Sequence, residues 1–282
     1  MNNNGSGTRT SVLRAVFVNT GMGTVLADKY HTSPIKIAKS FPLSDQLAII
    51  IMDVSPGLLN GDRYELEWFA GKETYSFITN QSYTKVHPSL LDGKSSMLQS
   101  FTLEEKAIIE HMPEPIMLFK DAQFHNDTTV QLAAGAVWMQ ADVLCPGRTF
   151  RDEVFEYREF RNSLSIYYED ELIFTQRQRI VPATQSMTAP GCWDDMTHWA
   201  SFYVFSDRVT SALLETVKLL LDELPEFQHH QVEAGASLTH RYGIVVSAAS
   251  TAAWPLQQTM RLVWGCIREA LFGKPPLLFL KQ

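Results

Sequence analysis

The stretch DRYELEW at residues 62–68 alternates apolar and charged residues one by one. In an extended chain, Tyr64, Leu66 and Trp68 lie on one side, and the charged residues between them lie on the other. This alternation predicts a half-buried β-strand. Residues 162–168 show the same pattern, so the fold class is expected to be mainly β.

Outward from this stretch, the chain from Val12 to Val181 consists of short apolar segments separated by Gly, Pro, Asn and Asp. Such spacing is typical of an all-β architecture. Turn residues occur between apolar runs at Asp92-Gly93, Ala134-Gly135 and Glu169-Asp170, where hairpins would need them. The pattern therefore predicts many short strands, mostly antiparallel.

Two later segments have helical periodicity. Apolar residues recur at helical spacing over about 208–224 and again over about 255–272, where Pro255 is placed to begin a helix and Gly273 to end it. Residues 237–250 resemble a strand or hairpin. There is no visible internal repeat.

These segments predict the domain organisation. We expect a flexible N-terminus over 1–11 and a single domain over 12–282. That domain is strand-rich over 12–205, with two helices in its C-terminal third.

Composition excludes several classes of protein. The 282 residues carry a net charge of −7, with no cluster of Lys and Arg, so a nucleic-acid partner is not expected. The longest apolar run, 47–52, is too short to cross a membrane, and residues 1–10 lack the apolar segment of a secretion signal. The three cysteines are widely spaced, which argues against disulfides or structural zinc. We expect a cytoplasmic protein.

The common catalytic motifs are absent, so the sequence does not predict an enzyme. The adjacent His229 and His230 cannot share one face of a helix, and a solvated turn explains them better than a metal site does. The remaining candidates for chemistry are carboxylates in the strand-rich region.

Asp142 is the most informative of these carboxylates. It lies within the apolar run 136–144, so its side chain is expected to be enclosed and to need a partner, which Arg148 could supply. From spacing alone, a structural ion pair explains this arrangement better than a functional role does. Glu114, between Pro113 and Pro115, lies on a segment that cannot be a central strand.

Four sequence blocks, in order, resemble those of the urease accessory protein UreD, a family called UreH in some bacteria. They are PGLLNGD at 56–62, ITNQSYTKVHPS at 78–89, EHMPEPIMLFKDAQFHNDTTVQL at 110–132 and ADVLCPGRTFRDEVFEYREFRNSL at 141–164. The ending MRLVWGCIREALFGKPP is similar to the closing helix of the family. Leu58 and Asn60 replace two glycines of the family's usual pattern, whereas Pro56, Gly57, Gly61 and Asp62 match it.

The resemblance implies a strand-rich, β-helix-like fold with two helices. It further implies a non-catalytic scaffold that joins UreF-type and UreG-type accessory proteins on apo-urease. Ni²⁺, held only in transit and not as a permanent cofactor, would pass through a water-filled interior to the urease active site. Carboxylates lining such a passage lower the energy of a divalent cation.

On this hypothesis, oxygen ligands that exchange readily suit a transit route better than a His and Cys cage, which would hold Ni²⁺ tightly. The candidate passage residues are Asp62, Glu114, Asp142, Cys145, Glu153 and Glu156, with Arg148 in a structural ion pair to Asp142. Candidate partner contacts are Trp193, Gln258, Arg261 and Arg268.

Two other classes of function stay open. A β-sandwich carbohydrate-active enzyme would use a pair of carboxylates held at a fixed separation, which sequence does not give. A metal-storage protein would bind nickel or zinc tightly. The scattered histidines and unpaired cysteines make this the least favoured class of function.

Overall fold

The computed structural model describes residues 9–43, 45–90, 93–224 and 231–277. Strands make up 50% of the structure and coil into a β-solenoid of about 4 turns, with two α-helices in the C-terminal third. The mainly β, β-helix-like fold class is thereby confirmed. Of the predicted flexible segment 1–11, residues 1–8 lie outside the described residues, whereas Thr10 and Ser11 belong to the first strand.

The described strands, in chain order, are β1 (Thr10–Asn19), β2 (Thr24–His31), β3 (Ile35–Leu43), β4 (Gln46–Asp53), β5 (Arg63–Ala70), β6 (Tyr75–Asn80), β7 (Thr84–Val86), β8 (Ser95–Leu103), β9 (Ile108–His111), β10 (Ile116–Leu118), β11 (Gln123–Leu132), β12 (Val137–Cys145), β13 (Glu159–Tyr168), β14 (Glu171–Ile180), β15 (His198–Phe205), β16 (Val232–Leu238) and β17 (Gly243–Ser250). The helices are α1 (Ser211–Asp222) and α2 (Ala253–Phe272).

The strands form two facing sheets. Sheet A has the order β14-β13-β11-β8-β5-β1-β2, and sheet B has the order β16-β17-β15-β12-β9-β6-β4-β3. Each coil runs from a strand of sheet A to a strand of sheet B, and the chain then returns to sheet A. On two of these returns it forms a short strand, β7 or β10. These two strands pair with each other, and β10 also pairs with β12. Each coil therefore stacks on the preceding one through backbone hydrogen bonds.

The prediction of mostly antiparallel strands is wrong for the centre of both sheets. Strands β1, β5, β8, β11 and β13 pair parallel in sheet A, as do β4, β6, β9 and β12 in sheet B. The antiparallel pairs among the described strands lie toward the ends of the sheets, for example β1 with β2 and β15 with β17. The reason is that side-chain alternation reports which face a residue lies on and carries no information about the direction of the neighbouring strand.

The predicted turns have different roles in the fold. Glu169 and Asp170, both at positive φ, form a true hairpin between β13 and β14. Gly135, at φ 70°, instead carries the chain from β11 in sheet A to β12 in sheet B. Asp92 lies outside the described residues. Residues 237–250, predicted to be a strand or hairpin, contain the end of β16 and all of β17, which pair antiparallel.

The central strand β12 of sheet B is buried on both faces. On β12, Val137, Met139, Ala141 and Val143 pack under the helices, whereas Trp138 and Leu144 face the solenoid interior. This arrangement explains the nearly continuous apolar run of the strand. The interior includes a layer of rings in stacked, tilted and edge-to-face contact, which we call the aromatic layer: Phe17, Trp68, Phe101, Trp138, Tyr203 and Phe205.

Both helices pack on the outer face of sheet B. Helix α1 begins where the Thr210 hydroxyl accepts a hydrogen bond from the Leu213 backbone N–H, a standard N-terminal cap. Helix α2 begins two residues before Pro255 and ends at Gly273, whose left-handed backbone (φ 63°) suits glycine. Its buried stripe includes Trp264, which stacks on Phe77 of β6 at 5.3 Å between ring centroids.

Candidate functional site

A polar cavity lies between the inner faces of the two sheets. Its internal volume is about 80 Å³, enough for several water molecules, because one ordered water needs about 10–15 Å³. The polar and charged residues that line it are Asp53, Tyr64, Asn80, Gln81, Ser82, Tyr83, Thr84, Gln99, His111, Glu114, Asn126 and Asp142. The cavity therefore interrupts the apolar packing of the solenoid with a space large enough to hold water.

The electrostatic character of this cavity is acidic. Three carboxylates, Asp53, Glu114 and Asp142, line it, and none of the described lining residues is Lys or Arg. The Asp53 carboxylate accepts a hydrogen bond from the Tyr64 hydroxyl at 2.8 Å. Carboxylates in a space of low dielectric constant produce a strong negative potential, so the cavity favours a cation over an anion.

Asp142 projects into this cavity from β12, as its enclosed sequence context predicted. Gln140, two residues earlier on the same face of the strand, donates its amide Nε2 to both carboxylate oxygens, at 2.9 and 3.0 Å. Burial away from bulk water raises the pKa of Asp142 to about 6, and the Gln140 hydrogen bonds oppose that rise. At neutral pH the group is therefore ionised.

His111, at the end of β9, lies beside this pair. Its ring Nδ1 is 2.8 Å from the Gln140 Oε1, so one amide side chain links the imidazole to the carboxylate. Burial lowers the pKa of His111 to about 4, with a small opposing effect of the Gln140 hydrogen bond. The ring is therefore neutral at pH 7.

Glu114 reaches the cavity from the segment between β9 and β10. Its Oε2 accepts a hydrogen bond from the Gln257 side chain of α2 at 3.0 Å, and its backbone N–H donates to the Asn80 Oδ1. The two flanking prolines fit this role, since the segment crosses between strands as predicted. Of the predicted passage residues, Asp142 and Glu114 are thus brought together in one cavity.

The other predicted passage residues lie outside it. The Asp62 carboxylate accepts a hydrogen bond from the Leu59 backbone N–H at 2.8 Å and closes the turn before β5. Glu156 pairs with Lys120 at 3.1 Å on an exposed surface. Cys145 is buried at the end of β12, where burial raises the pKa of its thiol to about 12.

The predicted ion pair between Arg148 and Asp142 is wrong. Arg148 pairs instead with Glu153, through Nε at 2.7 Å and through a second, shorter contact, and its guanidinium stacks 4.3 Å from the Phe119 ring centroid. This ion pair holds the pKa of the Glu153 carboxyl below its usual range. The chain turns after β12, so Arg148 points away from the strand and meets an acid within its own loop.

The predicted partner contacts divide into exposed and buried residues. Gln258 and Arg261 are exposed on α2, and Trp193 is half-buried against Phe155 and Trp199. Arg268, expected on the exposed side, is only 3% exposed and forms an ion pair with Glu110 of β9. The helical stripe therefore extends to Arg268, which sequence periodicity alone assigned to solvent.

Sequence reasoning missed His111, Asn126 and Asp53 as cavity residues, and it missed Gln140 as the hydrogen-bond partner of Asp142. Gln140 had a usable signal, because it precedes Asp142 by two residues and a strand places both on one face. The four-residue strand β9 is too short for its periodicity to reveal which way His111 faces.

No group of three or more His, Cys, Asp or Glu residues within the described parts of the chain is arranged to hold a metal ion. His229 and His230 lie outside those parts. Among the described residues, no helix combines the length and apolar character needed to span a membrane. The cavity therefore lacks a closed metal cage of the structural zinc type.

Replacing Asp142 with Asn is expected to change how stability depends on pH. Because the folded-state pKa of about 6 lies above the unfolded value of 3.8, the wild-type carboxyl stabilises the fold most below pH 4 and loses that contribution as pH rises through 6. The unfolding free energy of Asp142→Asn, minus that of the wild type, should rise by about 2 kcal/mol from pH 4 to pH 7. Urea denaturation at several pH values measures it.

His111→Gln serves as the control with the opposite sign. The folded-state pKa of His111 is lowered, so the wild type loses stability as pH falls below about 6.5, and the variant gains relative to it in that direction. Parallel pH curves for Asp142→Asn and wild type would contradict the assignment of a perturbed carboxyl to this cavity.

The chain was compared with known families and proteins. The family model described as UreD urease accessory protein matches residues 9–280. A protein named urease accessory protein UreD from Acetivibrio thermocellus is 30% identical over 242 residues, which cover 85% of this chain and 90% of that protein. A urease accessory protein UreH from Helicobacter hepaticus is 30% identical over 224 residues, with 79% and 84% of the two chains covered. A UreD from Haloarcula marismortui is 26% identical over 276 residues, covering 96% of this chain and 90% of that protein.

Proposed function

Because this chain belongs to the UreD urease accessory protein family, we propose that it is a non-catalytic scaffold that passes Ni²⁺ toward the active site of apo-urease. In this proposal it joins UreF-type and UreG-type partners on apo-urease in the cytoplasm. Ni²⁺ is cargo and not a resident cofactor. The urease accessory role of the family is the premise, and the partners and the nickel transfer are the proposed part.

The observation that carries the proposal is the acidic cavity inside the solenoid, which is large enough to hold water. Its three carboxylates and the absence of Lys and Arg from its described lining give a divalent cation a favourable environment. Most of the polar side chains that line it offer oxygen donors, and the cavity has room for water. Such ligands exchange around a cation more readily than a cage of thiolates does. A cavity with these properties suits passage better than storage.

Glu114 and Asp142 are assigned to this passage. Asp142 lies on β12 and Glu114 on the connection between β9 and β10, and both line the same cavity, so a cation could move from one to the other without leaving the interior. Glu153 and Glu156 are engaged in surface ion pairs, and Asp62 closes a turn, so we assign the passage to the cavity residues first.

The test is urease activation in cells that carry the urease and accessory genes with this gene deleted and then restored. Deletion should abolish both urease activity and urease-bound nickel, and the wild-type gene should restore both. Restoration with the double variant Glu114→Gln, Asp142→Asn should leave the nickel content of urease lower by about tenfold or more. A tenfold change corresponds to a loss of about 1.4 kcal/mol in the stabilisation of the cation.

The matched control is Glu105→Gln, which removes an exposed carboxylate paired with Lys72 on the surface. It should restore urease activity fully. Copurification of the partners with each variant separates a failure of assembly from a failure of passage. Full nickel content in the deletion strain would overturn the proposal, and full nickel content with the double variant would overturn the cavity assignment.

A further inference from the structure

Strand β16 forms one edge of sheet B. The other three sheet edges, β2, β3 and β14, each carry Lys or Arg, and each pairs with its neighbour through a shift in register. Charges and bulges of this kind keep an edge strand from pairing with another chain. β16, with the sequence VEAGASL, has no Lys, Arg or Pro and pairs with β17 without a shift. It is therefore the least protected edge among the described strands.

The hydrogen bonds of the hairpin identify the backbone groups of β16 that β17 leaves over. The Thr239 N–H donates to the Gly243 carbonyl at 2.8 Å, where the hairpin closes. In an antiparallel pair, residues that bond to the partner strand alternate with residues whose N–H and C=O point the other way. Counting back from Thr239, the residues that direct these groups away from the sheet are Val232, Ala234, Ala236 and Leu238. None of the described strands pairs with this side of β16.

A groove of about 790 Å³ lies against β16 and β17. Small residues of both strands line it: Gly235, Ser247 and Ala249. The loop 191–196 forms its wall, where Trp193 is half-buried and Asp194 and Asp195 are exposed. Glu233 adds a third carboxylate, and the described lining includes no Lys or Arg. The groove therefore favours a cationic side chain, which the carboxylates attract and the Trp193 ring can stack against.

We infer that β16 is a docking edge for an extended segment of a partner protein that carries Lys or Arg at every second position. The segment would add a strand to sheet B, and its main chain would pair with the outward groups of β16. Side chains on the Glu233 face would enter the groove. Those on the other face would lie beside Val232 and Ala236, which pack on the apolar cluster under the helices. The expected segment therefore alternates cationic and apolar residues.

Charge distinguishes such a segment from a second copy of this chain. Two copies paired through β16 would continue the sheet, so the same face of both copies would carry Glu233, Asp194 and Asp195 at the new junction. Like charges across a strand pair are destabilising, whereas opposite charges stabilise it. The inference goes beyond the proposed function, because it does not require Ni²⁺ to pass.

The test uses the purified full-length chain and a fluorescent peptide of the length of β16 in which Lys and Val alternate. Fluorescence anisotropy should show that this peptide binds at least about tenfold more tightly than a peptide of the same composition with Lys and Val in separate blocks. Ala234→Pro removes one outward N–H and leaves the bonds to β17 in place, so it should weaken binding by about tenfold or more. Ala234→Ser keeps that N–H and should bind as the wild type does.

A second pair of variants tests the charge of the groove. The double variant Asp194→Asn, Asp195→Asn should weaken binding of the alternating peptide and reduce its dependence on salt. Asn suits the left-handed backbone of Asp194, at φ 50°. Asp170→Asn neutralises an exposed aspartate, also at positive φ, in the turn between β13 and β14, and should change neither property.

Hydrogen exchange of the wild type covers the case in which Ala234→Pro does not fold. The N–H groups of Val232, Ala234, Ala236 and Leu238 should exchange rapidly in the free chain and slowly with the alternating peptide, while that of Gly235 stays protected in both. Equal binding of the two peptides, or outward N–H groups that stay fast with peptide bound, would overturn the inference. A dimer in sedimentation velocity that Ala234→Pro dissociates would assign the edge to a second copy and overturn it as well.

Discussion

Replacing Arg268 with Ala is expected to lower the free energy of unfolding by about 3–5 kcal/mol, because it leaves a buried carboxylate without its counter-charge. Glu110, the partner of Arg268, is 0% exposed. The guanidinium also donates to the Gln46 side chain at 3.3 Å and to the Pro275 carbonyl at 3.2 Å, and it stacks on the Trp264 ring. Urea denaturation of the full-length chain, followed by circular dichroism, measures the loss.

Arg261→Ala is the matched control, because it removes an exposed arginine from the same helix. Its effect should stay within about 0.5 kcal/mol. The double variant Glu110→Gln, Arg268→Met tests the cause, since replacing both charges with neutral groups removes the unpaired ion and should recover most of the loss. If the double variant is as unstable as Arg268→Ala, lost packing and not unpaired charge is the source.

The second large effect is expected for Trp138→Ala, with a loss of about 3–5 kcal/mol in the free energy of unfolding. Trp138 is fully buried in the aromatic layer, 5.8 Å from Phe101 of sheet A and 6.4 Å from Tyr203 of sheet B, measured between ring centroids. Truncation removes contacts that join the two sheets and leaves a cavity that a stacked solenoid cannot easily collapse. Chemical denaturation again gives the value.

The control for this variant is Phe150→Ala, which truncates a fully exposed aromatic ring in the turn after β12. Its stability should match that of the wild type within about 0.5 kcal/mol. A loss below about 1 kcal/mol for Trp138→Ala would mean that the aromatic layer contributes little to joining the sheets.

Much of the local structure follows from local sequence patterns. The alternation at 62–68 corresponds to β5, and the helical stripes correspond to α1 and α2. What the patterns could not give was strand direction, since a turn such as Ala134-Gly135 that leads to the facing sheet uses the same residues as a hairpin turn. The mainly β class therefore followed from the alternation, whereas the β-helix-like arrangement depended on the family resemblance.

The sequence also did not reveal that the coils repeat. The register stacks Arg63, Ser96, His125 and Arg161 at successive levels of sheet A, and the number of residues between these levels differs from one coil to the next. Connections of unequal length remove the fixed period that a repeat search needs. Hydrogen bonding between neighbouring coils keeps the strands aligned despite this irregularity.

For the candidate site, a physical argument from the sequence identified Asp142 but not the residues around it. Asp142 stood out because a charge within an apolar run must be enclosed. Its partner was assigned to Arg148 by nearness along the chain, yet the nearest polar group is Gln140 on the same strand face. The direction of an arginine side chain beyond the end of the strand is set by the loop in which it lies. The residue pattern of the strand does not reveal that direction.

The aromatic layer also sets a direction for anything that moves inside the solenoid. Trp68, Phe101 and Trp138 fill the interior at one level along the strands, whereas the cavity that Asp142 lines lies at another. In the proposed function, this layer closes the lengthwise direction, and the route that we propose for an ion crosses the strands from one coil to the next. The length of the route is then counted in coils, and a chain with one more coil would add one more step.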